Sequence, residues 1–253
     1  MDLRVLLAAI GGLGIGAVSA MTGTGGGTLL VPLYTLVLGM DMKSAVATSL
    51  MTMPLTALSS ILVYREIIDY KLGLALEATT TVGAYLGAKA VTSIPEGTLR
   101  MAFAVVLGFV AFNMLRKRES SDADGGLRRG CSRLLAAMGV SFLAGAFSGM
   151  LGIGGGTIKV PILVLVCGTG AKTAVATSMF MISITSTVGA TTHYLEGRGH
   201  PLIALITATG LVVGARAGAN KALRLRGTTV RRIFAAFLML VALRIALQAW
   251  GII

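Results

Sequence analysis

Two stretches of this chain combine residues that together could grip a small anion. They read G-T-G-G-G-T-L-L-V-P, containing Gly25, Gly26, Gly27 and Thr28, and G-I-G-G-G-T-I-K-V-P, containing Gly154, Gly155, Gly156 and Thr157. Consecutive glycines have no side chains, so a ligand can approach the backbone and meet its N–H groups directly. A helix is expected to begin at Thr28 and at Thr157, and a helix N-terminus carries about half a positive charge, which suits an oxyanion. The plainer reading of the same glycines is a tight turn with close helix packing. Each stretch is followed by A-V-A-T-S, which supplies Thr48 and Ser49, then Thr177 and Ser178. Those hydroxyls can donate to an anion or coordinate a cation, although Ser and Thr in membrane helices commonly bond their own backbone.

Two charges stand out against this apolar background. Lys159 lies three residues beyond the second Gly triplet, where the first stretch has Leu30. It would place one fixed cation on one side of a site, or else snorkel to the interface. Glu77 is the carboxylate away from any expected helix end, and an ionisable group inside lipid is a functional candidate by default. It could carry a coupling proton or pair with Arg216. Lys43 and Lys172 are expected to cap helix entry, Arg244 to be structural, and His193 and His200 to flank an external loop at the interface.

The elements that hold these residues come from an internal duplication. Slid by 129 positions, residues 16–49 and 145–178 agree at 20 of 34 places. A period this long in so apolar a chain points to the paired halves of a membrane transporter. The 253 residues are 55% hydrophobic and 13% charged, with mean hydropathy +0.86, whereas soluble domains carry roughly a quarter charged residues. Glycines spaced four apart, such as Gly83/Gly87 and Gly210/Gly214/Gly218, suit close approach of membrane helices. The N-terminus resembles a signal peptide, but its segment recurs inside the chain around Gly145–Met150 and so belongs to the fold. Cys131 and Cys167 are isolated and define neither a disulfide framework nor a zinc site.

Apolar runs fall near 3–22, 28–40, 44–64, 71–90 and 97–115, then near 134–152, 157–168, 173–195, 201–220 and 229–250. The second run of each set is too short to span the roughly 30 Å hydrocarbon core, so the chain is expected to unwind at the glycines within membrane depth. The fold class is thus all-α: a polytopic membrane protein of two inverted repeats, about five hydrophobic segments each, with Gly-rich broken or re-entrant helices. The first repeat occupies 1–115, a polar cytoplasmic linker 116–133, and the second repeat 134–253. Inverted repeats put 14 Lys and Arg residues in cytoplasmic loops and 5 outside, with Lys159, Arg216 and Arg244 in the membrane. Parallel repeats give 10 against 9, so the positive-inside rule favours inversion, with both termini extracytoplasmic.

With its doubled Gly-rich motif and doubled A-V-A-T-S, the chain resembles the TauE/SafE family of sulfite exporters over nearly its whole length outside the linker. The resemblance implies a multi-pass protein of the cell inner (cytoplasmic) membrane that works as a secondary transporter. Its cargo would be sulfite or a small organosulfonate or organic anion, with export the expected direction. An anion channel without ion coupling is the alternative. The expected partners are the small anion, the lipid bilayer, a proton or sodium ion for coupling, and a second copy in a homodimer. Nucleic acid is not expected despite the net charge of +12, because basic cytoplasmic loops account for it. No nucleophile elbow, H-E-x-x-H or carboxylate cluster is visible, so neither enzyme, cofactor nor metal is expected.

Overall fold

A computed structural model describes residues 3–116 and 131–224, together with isolated positions between 239 and 247. Residues 117–130 of the linker, the loop 225–232, most of the tenth apolar run and Arg244 lie outside the described residues. The described residues are all-helical, and three helices are long and apolar enough to cross a membrane: Met42–Tyr64, Ala171–Leu195 and Pro201–Arg224.

The helices are α1 (Leu3–Thr22), α2 (Gly27–Pro32), α3 (Met42–Tyr64), α4 (Tyr70–Ala90), α5 (Glu96–Arg116), α6 (Cys131–Leu151), α7 (Gly156–Pro161), α8 (Ala171–Leu195) and α9 (Pro201–Arg224). Asp41 starts α3 by accepting the Ser44 N–H at 3.0 Å, and Asp69 starts α4 by accepting the Leu72 N–H at 3.0 Å. The short second segment of each set is a hybrid. Pro32 and Pro161 cannot donate the usual helical hydrogen bond, and each is followed by wider π-helical turns, Leu33–Val37 and Ile162–Val166. Gly27–Val37 reaches only about 17 Å, well short of a bilayer.

The two halves pack by exchanging partners. Helix α1 of the first half lies on α9 of the second, α4 lies on α6, and α3 crosses α8. A Cβ on Gly83 or Gly87 would strike the carbonyls of Phe142 and Ala146 on α6. At the corresponding places, Cβ atoms on Gly214 and Gly218 would strike Leu13 and Ala17 on α1. Numbers rise together in both pairs, so α1 runs parallel to α9 and α4 to α6. Helices α3 and α8 run antiparallel: Leu50 faces Gly189, and Ala47 and Met51 border Gly199 just beyond the end of α8.

Reciprocal hydrogen bonds hold this exchange in register. Ser49 donates to Gly152 O at 2.6 Å, and Ser178, its counterpart, donates to Gly23 O at 2.8 Å. Thr48 accepts the His200 N–H and Thr177 accepts the Asp69 N–H, each at 3.0 Å. Every one of these bonds joins opposite halves. The A-V-A-T-S repeat thus serves as a pair of staples.

Because the small residues at α4–α6 and α1–α9 face backbone, a larger side chain cannot be absorbed by rotamer changes. Gly83→Val and Gly214→Val should each destabilise the protein by at least the ~1–3 kcal/mol typical of overpacking, seen as a lower melting temperature in detergent. Gly14→Ala, where an added Cβ meets nothing within 4 Å, should show no such drop.

Candidate functional site

The broken segments meet at the centre of the molecule. Gly27 is pressed against Gly152 and Ile153 of the second half, while Gly156 is pressed against Gly23 and Thr24 of the first. Met53 and Ile182, which occupy equivalent positions 129 residues apart, cover the crossing and lie within 4 Å of where a Cβ on Gly25 or Gly154 would sit. At the start of each short helix the backbone must turn left-handed: Gly26 has φ 93° and Gly155 has φ 70°. An L side chain is disfavoured there, and the glycine cap gives the first-turn N–H groups no side-chain partner.

A buried hydroxyl pair accompanies each of these N-termini. Ser19 and Thr28 in the first half, and Ser148 and Thr157 in the second, are buried with no hydrogen-bond partner. Ser19 Oγ lies 3.5 Å from the Cβ position of Gly26, and Ser148 Cβ lies 3.4 Å from that of Gly155. Buried polar groups are normally satisfied, and an orphan costs about 1–3 kcal/mol. Four orphans in two matching pairs beside two helix N-termini have the chemistry of an anion site: unspent donors and positive dipole ends, enclosed by apolar helices.

The second half adds charge. Lys159 Nζ sits 3.0 Å from Glu77 Oε2 and 2.5 Å from Thr185 Oγ1, and the Thr185 hydroxyl also donates to Glu77 Oε1. Thr81 Oγ1 lies 3.4 Å from the same carboxylate oxygen. Both Glu77 and Lys159 are 1% exposed. The pair is internal, so Lys159 does not snorkel. Its stem borders the half-site, with Cε 3.3 Å from the Cβ position of Gly155. Around the first half-site the corresponding residues are Leu30 and Thr56 of the first half and Ala208 of the second, so the duplication is broken here.

Several sequence expectations need revision. Arg216 is exposed on α9 and does not pair with Glu77, because Lys159 reaches the carboxylate from inside the protein. Thr48, Ser49, Thr177 and Ser178 are turned onto backbone groups of the opposite half. His193, in the last turn of α8, is buried, with Nε2–H donating to Gly149 O at 3.0 Å. Lys43 is half-buried and Lys172 exposed, and they reach Thr92 O and Leu223 O at 3.2 and 3.4 Å. The loops that carry Gly25–Thr28 and Gly154–Thr157 meet, with Gly27 against Gly152 and Gly156 against Gly23. Ser19, Ser148 and Thr185 were not singled out, although Ser19 and Ser148 match across the repeat. Among the described residues no group of His, Cys, Asp and Glu side chains is placed to hold a metal.

A probable membrane transporter protein of Bacillus subtilis, YunE, is 28% identical over 91% of this chain and 93% of its own length. A probable membrane transporter protein of Xylella fastidiosa is 23% identical over 99% of this chain and 98% of its own. The sulfite exporter TauE/SafE family protein 5 of Arabidopsis thaliana is 29% identical over 39% of this chain and 23% of its own. No solved structure matches. The profile of the sulfite exporter TauE/SafE family covers residues 8–245, and with the duplicated motif, the exchanged helices and the relatives named as membrane transporters, it establishes that this chain belongs to the TauE/SafE family.

Proposed function

We infer that this protein is a secondary transporter of the cytoplasmic membrane that exports sulfite, or a small organosulfonate or organic anion, through the site where its two broken helices meet. The observation that carries the reading is the matched set of unpartnered hydroxyls, Ser19 with Thr28 and Ser148 with Thr157, each beside a glycine-capped helix start. Such donors suit a tetrahedral or pyramidal oxyanion, whose oxygens accept several hydrogen bonds at once. The family name adds sulfite as the first cargo to test.

The two halves act as inverted repeats in this reading. A two-fold relation that swaps α3 with α8 and leaves them antiparallel must have its axis across the helices, and for spanning helices that axis lies in the membrane plane. The loop joining α3 to α4 then faces the cytoplasm and the loop joining α8 to α9 faces out. In a background with Cys131 and Cys167 replaced by Ser, a cysteine at Glu196 should react with an impermeant thiol reagent added to intact cells. A cysteine at Glu66 should react only after lysis. Equal labelling of both from outside would end the inverted arrangement.

In proteoliposomes, sulfite and methanesulfonate should each be carried, and cargo inside the vesicles should accelerate entry of labelled cargo, as a transporter requires and a simple channel does not. No flux of either anion through inserted, folded protein would refute the cargo class.

The half-sites make a sharper expectation. Hydrogen bonds to charged groups contribute about 1.5–3 kcal/mol, so Ser19→Ala and Ser148→Ala should each weaken anion binding by roughly tenfold or more. Because the hydroxyls have no partner inside the protein, the same substitutions should leave the melting temperature without ligand unchanged or slightly raised. Unchanged binding in both variants would reduce the pairs to packing.

A further inference from the structure

The buried ion pair beside the second half-site has a consequence for what can enter with the cargo. Resting on the reading of this chain as an anion transporter, we propose that the Glu77 carboxylate is a stand-in anion for Lys159, so that cargo occupies the second half-site only together with a proton taken up by Glu77.

The argument is one of charge count in a low-dielectric interior. Glu77 and Lys159 are neutral as a pair, and their side chains are 2% and 0% exposed. An anion that took over Lys159 while Glu77 stayed ionised would leave a carboxylate buried without its counter-charge, which is strongly unfavourable. If Glu77 binds a proton on Oε2, its bond to Lys159 loses its ionic character. The ammonium is kept, and the cargo oxygen replaces the carboxylate as its partner. The buried site is again neutral: one ammonium, one monoanion, one neutral carboxyl. Thr185, which bridges Lys159 and Glu77, can then donate to the cargo or accept from the new carboxyl.

Placement supports the exchange. Lys159 Cε already borders Gly155, so Nζ is one bond beyond an atom that lines the half-site. Helix α7 contributes Lys159 and α8 contributes Thr185, while α4 itself contributes Thr81. Helix α6, packed along α4, has no acid or base between residues 135 and 151. The ionisable side chains of α8 are engaged or distant: Lys172 is exposed on Leu223 O, His193 bonds Gly149 O, and Tyr194 is exposed. The first half-site has Leu30 and Ala208 in these positions and adds no titratable group to the single anion held between the two. One proton per anion follows, so net export runs down the cargo's own outward gradient and against an inward proton gradient.

Methanesulfonate is the probe, because it remains a monoanion across the useful pH range whereas sulfite itself titrates. Adding it to the full-length protein in weakly buffered detergent should take up one proton per molecule bound. Its affinity should fall roughly tenfold per pH unit above the titration of Glu77. In proteoliposomes an imposed acid-outside gradient should accelerate uptake, while a membrane potential or a sodium gradient should not. Glu77→Gln should bind methanesulfonate with no pH dependence and retain cargo exchange, but lose the response to the pH gradient. Binding without proton uptake by wild-type protein, or acceleration by sodium instead, would overturn the proposal and leave the anion reading standing. The wild-type measurements decide this even if Glu77→Gln fails to fold. Failure of folded wild-type protein to bind either anion would overturn both.

Discussion

Everything else in this structure depends on two glycine-lined loops crossing at the centre of the protein. Non-helical backbone in a membrane interior is tolerated only where protein covers it. Here each loop covers the other: Gly27 packs on Gly152 and Ile153, Gly156 on Gly23 and Thr24. Contacts this close admit no side chain at Gly27 or Gly156. The serines of the repeated A-V-A-T-S then satisfy one carbonyl in each opposite loop, Gly152 O and Gly23 O. The same crossing leaves two helix N-termini without side-chain caps, each next to two hydroxyls with nothing to bond. Stability and the proposed anion binding thus fall to different atoms of one motif: the carbonyls face the staples and the helix starts carry no side-chain cap.

The exchange of helices between halves explains why glycine recurs on α4, α6 and α9. With lipid as solvent, the hydrophobic effect gives little drive for helix association, and close van der Waals packing takes its place. The rows Gly83/Gly87 and Gly214/Gly218 bring backbone against the carbonyls of α6 and α1. Parallel neighbours drawn from different halves make the halves inseparable, so the central site is held from both sides.

Duplication supplies the frame, and its local failure supplies the chemistry. Around the first half-site, Leu30, Thr56 and Ala208 stand where Lys159, Thr185 and Glu77 stand around the second. A symmetric neutral site can grip an anion by dipoles and hydroxyls alone. Inserting one ammonium there demands a counter-charge, since an unpaired buried cation would cost more than a helix end could return. Glu77 meets that demand from α4, and the resulting pair ties the half-site to the packing of α4, α7 and α8.

Much of this was legible from residue order. Composition, the 129-residue repeat and the Gly-rich motif determined a membrane protein of two related helical halves with broken helices at Gly25–Gly27 and Gly154–Gly156, because helix periodicity and glycine's freedom are local properties. The expected helix starts at Thr28 and Thr157 fall one residue from the observed starts at Gly27 and Gly156. Partner choice was not legible. Ser49 and Gly152 are 103 residues apart and Glu77 and Lys159 are 82 apart, and nothing local says whether a hydroxyl will turn to a ligand or to the opposite backbone. Sequence suggested Arg216 as the partner of Glu77. Burial of α7 against α8 decided for Lys159, because a carboxylate inside the protein pairs with the cation that the packing brings to it.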